Sequence, residues 1–378
     1  MIYLSKINRF NAPEVTTQMK VCPVPFRYDT YCGCAHGCKY CFGRNLVEFS
    51  RRDCEQTKFS YIEGNNPDNF RKWFEKRINA EEYDYDHVES IAIKERIPLK
   101  IGTTSDPFPP IEPEERITYK TLKILDEYDY PVQILTKNPG ILADYISDFD
   151  NPNWSIACSL ISMDEKMIRG IEPGAPLPSE RIAAIKKITD MGYHAMVKVQ
   201  PAILPRIVDD LPELIRNVAD SGAWAFNTEG LKVRIVMKKE ERDLFQEMTP
   251  FVGYDIRNFY QQHFRRTDSD YEPQTHERMK YIEVALKLAK KYNLKYFVAD
   301  NGCGRIGDGP ECCGTQVLRN YKIWGGCDRV KFFDPIDYCS TELGKGTYRI
   351  HFAKAGEDRR TKLNDHVKTE KTLFEFVG

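Results

Sequence analysis

Three cysteines near the start of the chain have a spacing that suits iron–sulfur chemistry. Cys34, Cys38 and Cys41 stand in the sequence YCGCAHGCKYCFGRN as C-x3-C-x2-C. Three thiolates in one tight loop can hold three irons of a [4Fe–4S] cube and leave the fourth iron open to bind a small molecule and pass it one electron. A structural zinc site instead needs four closed ligands, and His36 or Cys32 could supply the fourth.

A second group of cysteines lies in the C-terminal part of the chain. The segment NGCGRIGDGPECCGTQVLRNYKIWGGC is rich in glycine, and its loop-like spacing offers four thiols: Cys303, Cys312, Cys313 and Cys327. Four cysteines suit either zinc or a second [4Fe–4S] cluster, and a segment without metal is the third alternative. Because Cys312 and Cys313 are adjacent, the spacing leaves open which of them binds metal, and Cys339 could replace either.

The elements between these cysteine groups are typical of an α/β protein. Short apolar runs alternate with longer helical patterns, and this spacing predicts right-handed βαβ units and a parallel sheet. The predicted strands are a segment near Arg27–Tyr31, then Leu99–Thr104, Pro131–Lys137, Trp154–Leu160, His194–Gln200, Leu231–Met237 and Lys295–Ala299. The predicted helices are Glu114–Glu127, Ile141–Phe149, Glu180–Met191, Asp210–Asp220 and His276–Tyr292.

The number of these units favours a partial or full parallel (β/α) barrel with a Cys-rich C-terminal extension. A doubly wound sheet is the alternative, but the sequence has no G-x-G-x-x-G turn after a strand. We therefore predict a barrel domain over residues 1–300 and an extension over residues 301–378 that carries an auxiliary metal or cluster site. Residues 238–275 break the alternation and are predicted to be an insertion.

The first cysteine loop resembles that of the radical S-adenosylmethionine superfamily, in which an aromatic residue precedes the third cysteine, as Tyr40 does here. The resemblance implies that S-adenosylmethionine chelates the open iron through its amino and carboxylate groups. Electron transfer then splits the sulfonium bond and yields a 5′-deoxyadenosyl radical, which abstracts hydrogen from a substrate. The resemblance also implies a reducing partner of the flavodoxin or ferredoxin type.

Five further phrases resemble the spore photoproduct lyase-like branch of that superfamily. They are GTTSDP, ILTKNP, ACSLIS, IEPGAPLPSERIAAI and VQPAIL, and they occur in this order over about residues 25–210. In that family the positions that match Ser105, Lys137 and Ser159 contact S-adenosylmethionine. The resemblance therefore implies that these three residues and Tyr40 bind the cofactor.

The chain departs from that branch at two positions. A family cysteine that returns a hydrogen atom to the product is matched by Thr103, a poor hydrogen-atom donor, and a family tyrosine is matched by Phe42. Cys158 is near the position of the missing family cysteine. It faces the helices if Ser159 faces the barrel interior, however, because neighbouring strand residues point to opposite faces. The resemblance thus transfers the radical chemistry but not the thymine-dimer substrate.

Composition excludes several classes of protein. The 378 residues include 55 Lys and Arg against 56 Asp and Glu, and the net charge of -1 does not support a uniformly basic nucleic-acid coat. At 41% hydrophobic, the chain can bury a sizeable core. Without an apolar run typical of a signal peptide or membrane span, we predict a cytoplasmic protein, in which 12 cysteines indicate metal or redox chemistry.

Polar residues inside two predicted strands indicate an interior binding surface. Lys198 and Gln200 share one face of a strand, and Lys232 and Arg234 share one face of the next. Strands covered on both faces should be nearly all apolar. These side chains therefore either line the barrel interior and bind ribose, carboxylate or phosphate, or form ion pairs across the sheet or stand at an exposed edge.

Two other charged regions are predicted to have structural roles. In Tyr254–Arg266 aromatics alternate with arginines as on a nucleic-acid surface, but the aromatics recur at helical spacing, so a helix packed on the core is favoured. Glu172, Arg169 and Arg181 surround an EPG phrase, where a structural salt bridge is favoured over catalysis.

The sequence thus predicts a radical S-adenosylmethionine enzyme. Through the resemblance alone, its leading substrate is a nucleic-acid base or nucleotide, and a peptide or small metabolite is the alternative. The alternative of another class is a non-catalytic zinc or iron–sulfur protein that binds nucleic acid or senses redox state.

Overall fold

A mixed α/β architecture is present in the computed structural model, which describes residues 10–16, 22–44, 62–82, 84, 87–300, 302–304, 306–309 and 311–324. Cys327, Cys339 and most of the predicted C-terminal extension lie outside these residues. The strands are β1 (Glu14–Val15), β2 (Phe26–Tyr28), β3 (Tyr31–Cys32), β4 (Glu63–Gly64), β5 (Leu99–Ile101), β6 (Val132–Thr136), β7 (Trp154–Ser159), β8 (Ala195–Ala202), β9 (Ala225–Gly230), β10 (Val233–Arg234), β11 (Arg265–Arg266), β12 (Asp270–Glu272) and β13 (Lys295–Val298).

The helices alternate with the central strands, as the sequence pattern predicts. They are α1 (Pro67–Ile78), α2 (Val88–Lys94), α3 (Glu112–Glu115), α4 (Ile117–Asp126), α5 (Pro139–Tyr145), α6 (Glu165–Ile171), α7 (Pro178–Asp190), α8 (Ile207–Asp220), α9 (Lys239–Val252), α10 (Ile256–His263) and α11 (Thr275–Tyr292). No helix in the described part of the chain is long and apolar enough to span a membrane.

The central sheet has eight strands in the order β1-β2-β5-β6-β7-β8-β9-β13. All neighbours pair in parallel except β1, which is antiparallel to β2. This mostly parallel sheet confirms the predicted α/β class. Among the strands described here no pairing joins β1 to β13, so the sheet is open at these two edges.

One predicted strand is wrong. We expected Leu231–Met237 to be the sixth parallel strand, but that place is taken by β9, and only Val233–Arg234 of the predicted segment is extended. This short strand belongs to a separate antiparallel sheet, β10-β12-β11, whose other two strands lie within the region predicted to be an insertion. The sequence of β9, AFNTEG, is too polar in its centre to be recognised as a buried strand.

The two faces of the central sheet differ in what covers them. Side chains such as Ile101, Ile134 and Ile156 point to the helices and join the main hydrophobic core. The opposite side, which we call the inner face, carries polar side chains and a small apolar cluster of Ala157, Met196, Ala225 and Phe297. The turn at residues 312–314 packs against this inner face, where Asn227 and Ser155 donate hydrogen bonds to its carbonyl groups.

The aromatic segment in the insertion is a helix packed on the core, as predicted. Ile256 and Tyr260 of α10 are fully buried, and Phe264 follows them into the main hydrophobic core. Arg265 and Arg266 are exposed in β11. The aromatic side chains are therefore used for packing and are not presented to solvent as base-stacking groups.

Candidate functional site

The loop that carries Cys34, Cys38 and Cys41 lies after β2 and β3 and docks on the segment that follows α6. The backbone N–H of Lys39 donates to the Ile171 carbonyl at 2.9 Å, and that of Gly174 donates to the His36 carbonyl at 2.9 Å. A Cβ at position 174 would lie 2.1 Å from the Ala35 carbonyl oxygen. The glycine of the EPG phrase is therefore what permits the close approach of the cysteine loop.

The three loop cysteines are free thiols that lie near one another. Cys38 is buried, and Cys34 and Cys41 are half-buried. Burial and the negative charge of Asp106 raise the pKa of Cys34 to about 12. Burial also raises the pKa of Cys38 well above its usual range, although the Lys137 ammonium opposes this shift.

This donor set fits an iron–sulfur cube. Ionised Cys34 and Cys41 would each repel an ionised Cys38, and a cationic metal centre would offset that repulsion. Over the residues that the structure describes, no three His, Cys, Asp or Glu side chains converge as the ligands of one metal ion do. A [4Fe–4S] cube does not need such convergence, because each thiolate binds a different iron.

A buried charge network stands beside the loop. The Glu172 carboxylate accepts a hydrogen bond from the Tyr40 hydroxyl, lies 2.5 Å from the Arg181 guanidinium, and is 4.0 Å from the Lys137 ammonium. Lys137 also lies 5.8 Å from the centre of the Tyr40 ring. The structure thus brings together two of the four predicted cofactor residues, Tyr40 and Lys137, with the buried salt bridge that the sequence predicts.

The charges of this network stabilise one another. Burial alone would raise the pKa of Glu172, but the Arg181 and Lys137 cations and the Tyr40 hydrogen bond hold this pKa below its usual range. Burial would lower the pKa of Lys137, but the Glu172 carboxylate and Cys38, when it is ionised, raise this pKa. The site therefore holds a fixed ammonium beside Cys38.

His36 is oriented toward protein oxygens. Its Nδ1 is 3.1 Å from the Gly174 carbonyl oxygen, and its Nε2 is 3.0 Å from Oδ2 of Asp106. Burial would raise the pKa of Asp106, but the charge and hydrogen bond of His36 and the N–H groups of Lys137 and Phe108 lower it to about 2. Both ring nitrogens thus lie next to protein oxygens, and His36 does not have the orientation of a fourth zinc ligand.

The residues that follow β5 form hydrogen bonds with the segment that leads into the cysteine loop. Asp29 accepts hydrogen bonds from the backbone N–H of Thr103 at 2.8 Å and of Thr104 at 3.1 Å. The Ser105 hydroxyl donates to the Tyr31 carbonyl oxygen. Ser105, a predicted cofactor contact, therefore uses its hydroxyl to hold β3, and Thr103 directs its own hydroxyl to Asp29.

Ser159, the fourth predicted cofactor contact, lies at the end of β7 on the inner face. It pairs in register with Lys198, which in turn pairs with Asn227. Cys158 packs instead in the main core on the helix-covered side, as the alternation of strand side chains predicts. The Ser159 carbonyl accepts a hydrogen bond from Arg181 at 3.0 Å, which links this strand end to the buried charge network.

The C-terminal cysteines occupy two different environments. Cys303 is fully buried in the main hydrophobic core. Cys312 and Cys313 instead face the inner side of the sheet, where the Cys312 thiol and the ammonium groups of Lys100 and Lys198 lower the pKa of Cys313 against the effect of burial. Metal binding by these three residues and by Cys327 stays a prediction.

A cavity of about 160 Å³ opens beside Cys41. It is lined by the cysteine loop, by the residues that follow β9, and by α9. Five cations and the carboxylates Glu240 and Glu241 contribute to its lining, and the cations are Lys39, Arg44, Lys232, Arg234 and Lys238. We call this cavity the cationic cleft. Lys232 and Arg234 thus lie at the cleft, whereas we had expected them in the sixth parallel strand.

No protein-family model matches the chain. A protein of Mycobacterium tuberculosis that is described as uncharacterised is 26% identical over 275 residues, which are 71% of this chain and 75% of the relative. An uncharacterised protein of Methanocaldococcus jannaschii is 23% identical over 204 residues, which are 54% of this chain and 70% of the relative.

The fold is similar to that of spore photoproduct lyase. A solved structure of that enzyme, complexed with dinucleoside spore photoproduct, has a TM-score of 0.55 and 17% sequence identity, with 78% of this chain and 80% of that chain covered. A mutant of the same enzyme has a TM-score of 0.53 and 17% identity, with 77% and 79% covered. At this identity the similarity establishes a shared fold.

Proposed function

We propose that the chain is a radical S-adenosylmethionine enzyme of the spore photoproduct lyase-like branch. The observation that carries this proposal is the position of the loop of Cys34, Cys38 and Cys41, which is docked beside a buried network of Tyr40 and Lys137. The shared fold supports it. We also propose that the central sheet is part of a (β/α) barrel, because Lys100 on β5 and Lys198 on β8 both face Cys312 and Cys313 although two strands separate them.

In this proposal Cys34, Cys38 and Cys41 hold a [4Fe–4S] cluster, and the residues around them prepare the site. When bound, the cluster would deliver one electron to S-adenosylmethionine and so supply a 5′-deoxyadenosyl radical that takes hydrogen from the substrate. Lys137 offers a fixed positive charge that suits the carboxylate of the cofactor. Tyr40, Ser105 and Ser159 are the other proposed contacts, and an electron donor of the flavodoxin or ferredoxin type is the proposed partner.

The decisive test is cleavage of S-adenosylmethionine by anaerobically reconstituted protein. We expect a brown protein that binds about four irons for each occupied cluster site and releases 5′-deoxyadenosine when dithionite is added. A colourless preparation with zinc and no iron would favour a non-catalytic metal-binding protein. An intact cube without release of 5′-deoxyadenosine would contradict the proposed activity.

The cationic cleft supports a nucleotide or nucleic acid as the substrate. Its cations exceed its carboxylates, and Phe42 at its edge is 65% exposed, so that it could stack on a base. The cleft lies beside Cys41, where a substrate would meet the reactive centre. A peptide or small metabolite is the alternative substrate, and an uncharged one would gain nothing from these cations.

Replacing two cleft lysines should weaken the binding of single-stranded DNA and reduce its salt dependence. In the Lys232→Gln/Lys238→Gln variant, two lost phosphate contacts should reduce the slope of log affinity against log salt by about 1.4. Fluorescence anisotropy of a labelled oligonucleotide measures this slope. The control is Lys287→Gln/Lys290→Gln, which changes the net charge equally on the exposed side of α11. Equal slopes for both variants would exclude the cleft as the binding surface.

A further inference from the structure

The inner face holds a second group of thiols, and one of its members comes from the opposite end of the chain. The Lys100 ammonium is 3.4 Å from the sulfur of Cys22. The same ammonium also faces the thiols of Cys312 and Cys313. Cys22, which belongs to neither predicted metal site, therefore shares a cation with the two adjacent C-terminal cysteines.

The fold builds this arrangement by tightly docking the turn that contains both C-terminal thiols. Asn227 donates to the Cys312 carbonyl at 2.6 Å, and Ser155 donates to the Gly314 carbonyl at 2.8 Å. The Glu311 carboxylate accepts the backbone N–H groups of Cys313 and Thr315. The turn is thus held by two strands and by its own carboxylate.

The same turn also packs closely against β8. Gly314 has φ +68°, and a Cβ there would lie 2.5 Å from the Met196 sulfur, so the turn needs glycine for its conformation and for its approach to β8. The following residues reach the segment next to Cys22, because Trp324 donates its backbone N–H to the Pro23 carbonyl at 2.7 Å. The structure therefore brings the two thiol-bearing segments together through backbone contacts.

The charges around these thiols indicate what the site binds. Lys198 is 5% exposed and, like Lys100, faces the sulfurs of Cys312 and Cys313. These ammonium groups require anionic partners, and although the Glu311 carboxylate faces Lys198, metal-bound thiolates would serve both lysines. Thiolates gathered from separate segments are ligands for zinc or for an iron–sulfur cluster.

The position of the Lys100 ammonium favours a cluster over a single ion. This ammonium contacts the Cys22 sulfur and faces that of Cys313, so one ion bound between those sulfurs would have to displace it. A cluster takes each thiolate on its own iron and also accepts N–H···S hydrogen bonds from outside. Asn227 Oδ1, which is buried and has no hydrogen-bond partner, further indicates that this polar pocket is built to hold a group.

We propose that Cys22, Cys312 and Cys313 bind a second iron–sulfur cluster against the inner face, with Lys100 and Lys198 as its cationic neighbours. This ligand set differs from the one that the spacing predicts, because it includes Cys22 and leaves Cys303 in the apolar core. The site is separate from Cys34, Cys38 and Cys41, and its existence does not depend on the proposed radical chemistry.

The test uses the full chain with the first site removed. In the Cys34→Ala/Cys38→Ala/Cys41→Ala variant, anaerobic reconstitution should leave about four irons and four sulfides per chain and a dithionite-dependent electron paramagnetic resonance signal. Adding Cys22→Ser or Cys313→Ser should remove that iron, whereas adding Cys303→Ala should retain it. Circular dichroism of each variant verifies that the fold is kept.

Three results would overturn the proposal. They are a triple variant that holds zinc or no metal, a disulfide between Cys22 and either C-terminal thiol, and loss of the iron with Cys303→Ala but not with Cys22→Ser. A second measurement is the reduction potential, which Lys100→Gln should make more negative because a nearby cation and N–H···S donor are lost. An unchanged potential would contradict a cluster beside Lys100. Release of 5′-deoxyadenosine is measured on the unmodified chain, so the two proposals fail independently.

Discussion

Cys38→Ala should abolish release of 5′-deoxyadenosine and lower the iron content by about four per chain. Cys38 is the most deeply buried of the three loop cysteines and faces the Lys137 ammonium. Two remaining thiolates cannot support a cube whose fourth iron already lacks a protein ligand. Iron analysis and quantification of 5′-deoxyadenosine by chromatography after dithionite reduction measure the two effects together.

Cys158→Ala is the matched control for this substitution. Cys158 is also a buried, free cysteine, but it points to the helices from β7. We expect the control to keep both its iron and its activity at the level of the unmodified protein. If Cys38→Ala retained the cube, or if both variants lost iron equally, the loop would not be the metal site.

The sequence was sufficient to predict the parallel sheet because most of its strands are short apolar runs between helical patterns. β6, β7, β8 and β13 lie within a residue or two of their predicted bounds. β9 was missed because Asn227 and Thr228, in its centre, are polar although buried. The Asn227 side chain binds the Cys312 carbonyl, a residue far away in sequence, and a local pattern contains no information about that contact.

The candidate site was predictable to a similar extent. Local spacing predicts the cysteine loop as a candidate site, because its three cysteines lie close together in one short segment. The partners of the loop come from other parts of the chain, and they meet it only after folding. Glu172 illustrates this limit, since the EPG phrase indicates a salt bridge with Arg181 but not the hydrogen bond from Tyr40. Cys22 likewise has no sequence signal that connects it to Cys313.

Glu172→Gln should reduce the free energy of unfolding by about 3 to 5 kcal/mol, the usual cost of removing one partner of a buried ion pair. Glu172 and Arg181 are both fully buried and lie 2.5 Å apart. With glutamine at position 172, the Arg181 guanidinium stays buried without a counter-charge, and Lys137 also loses a nearby anion. Urea denaturation followed by circular dichroism measures the change, and Glu165→Gln, on the exposed side of α6, is the control.

The pH dependence of this effect has a definite sign. The pKa of Glu172 is lower in the folded protein than in the unfolded chain, where it is about 4.3. The carboxylate therefore stabilises the fold fully above that value and loses this contribution as pH falls through the folded pKa. The difference in stability between the unmodified protein and Glu172→Gln should accordingly shrink in acid.

A double substitution separates the loss of charge pairing from a general loss of packing. Glu172→Gln/Arg181→Met removes both members of the pair, and it should recover much of the lost stability because no unpaired guanidinium remains in the core. It should not restore the position of Lys137, whose ammonium then lacks the carboxylate 4.0 Å away. We therefore expect the double variant to fold stably yet bind S-adenosylmethionine more weakly than the unmodified protein. Equal affinity in an equilibrium binding assay would show that Glu172 serves stability alone and does not position Lys137.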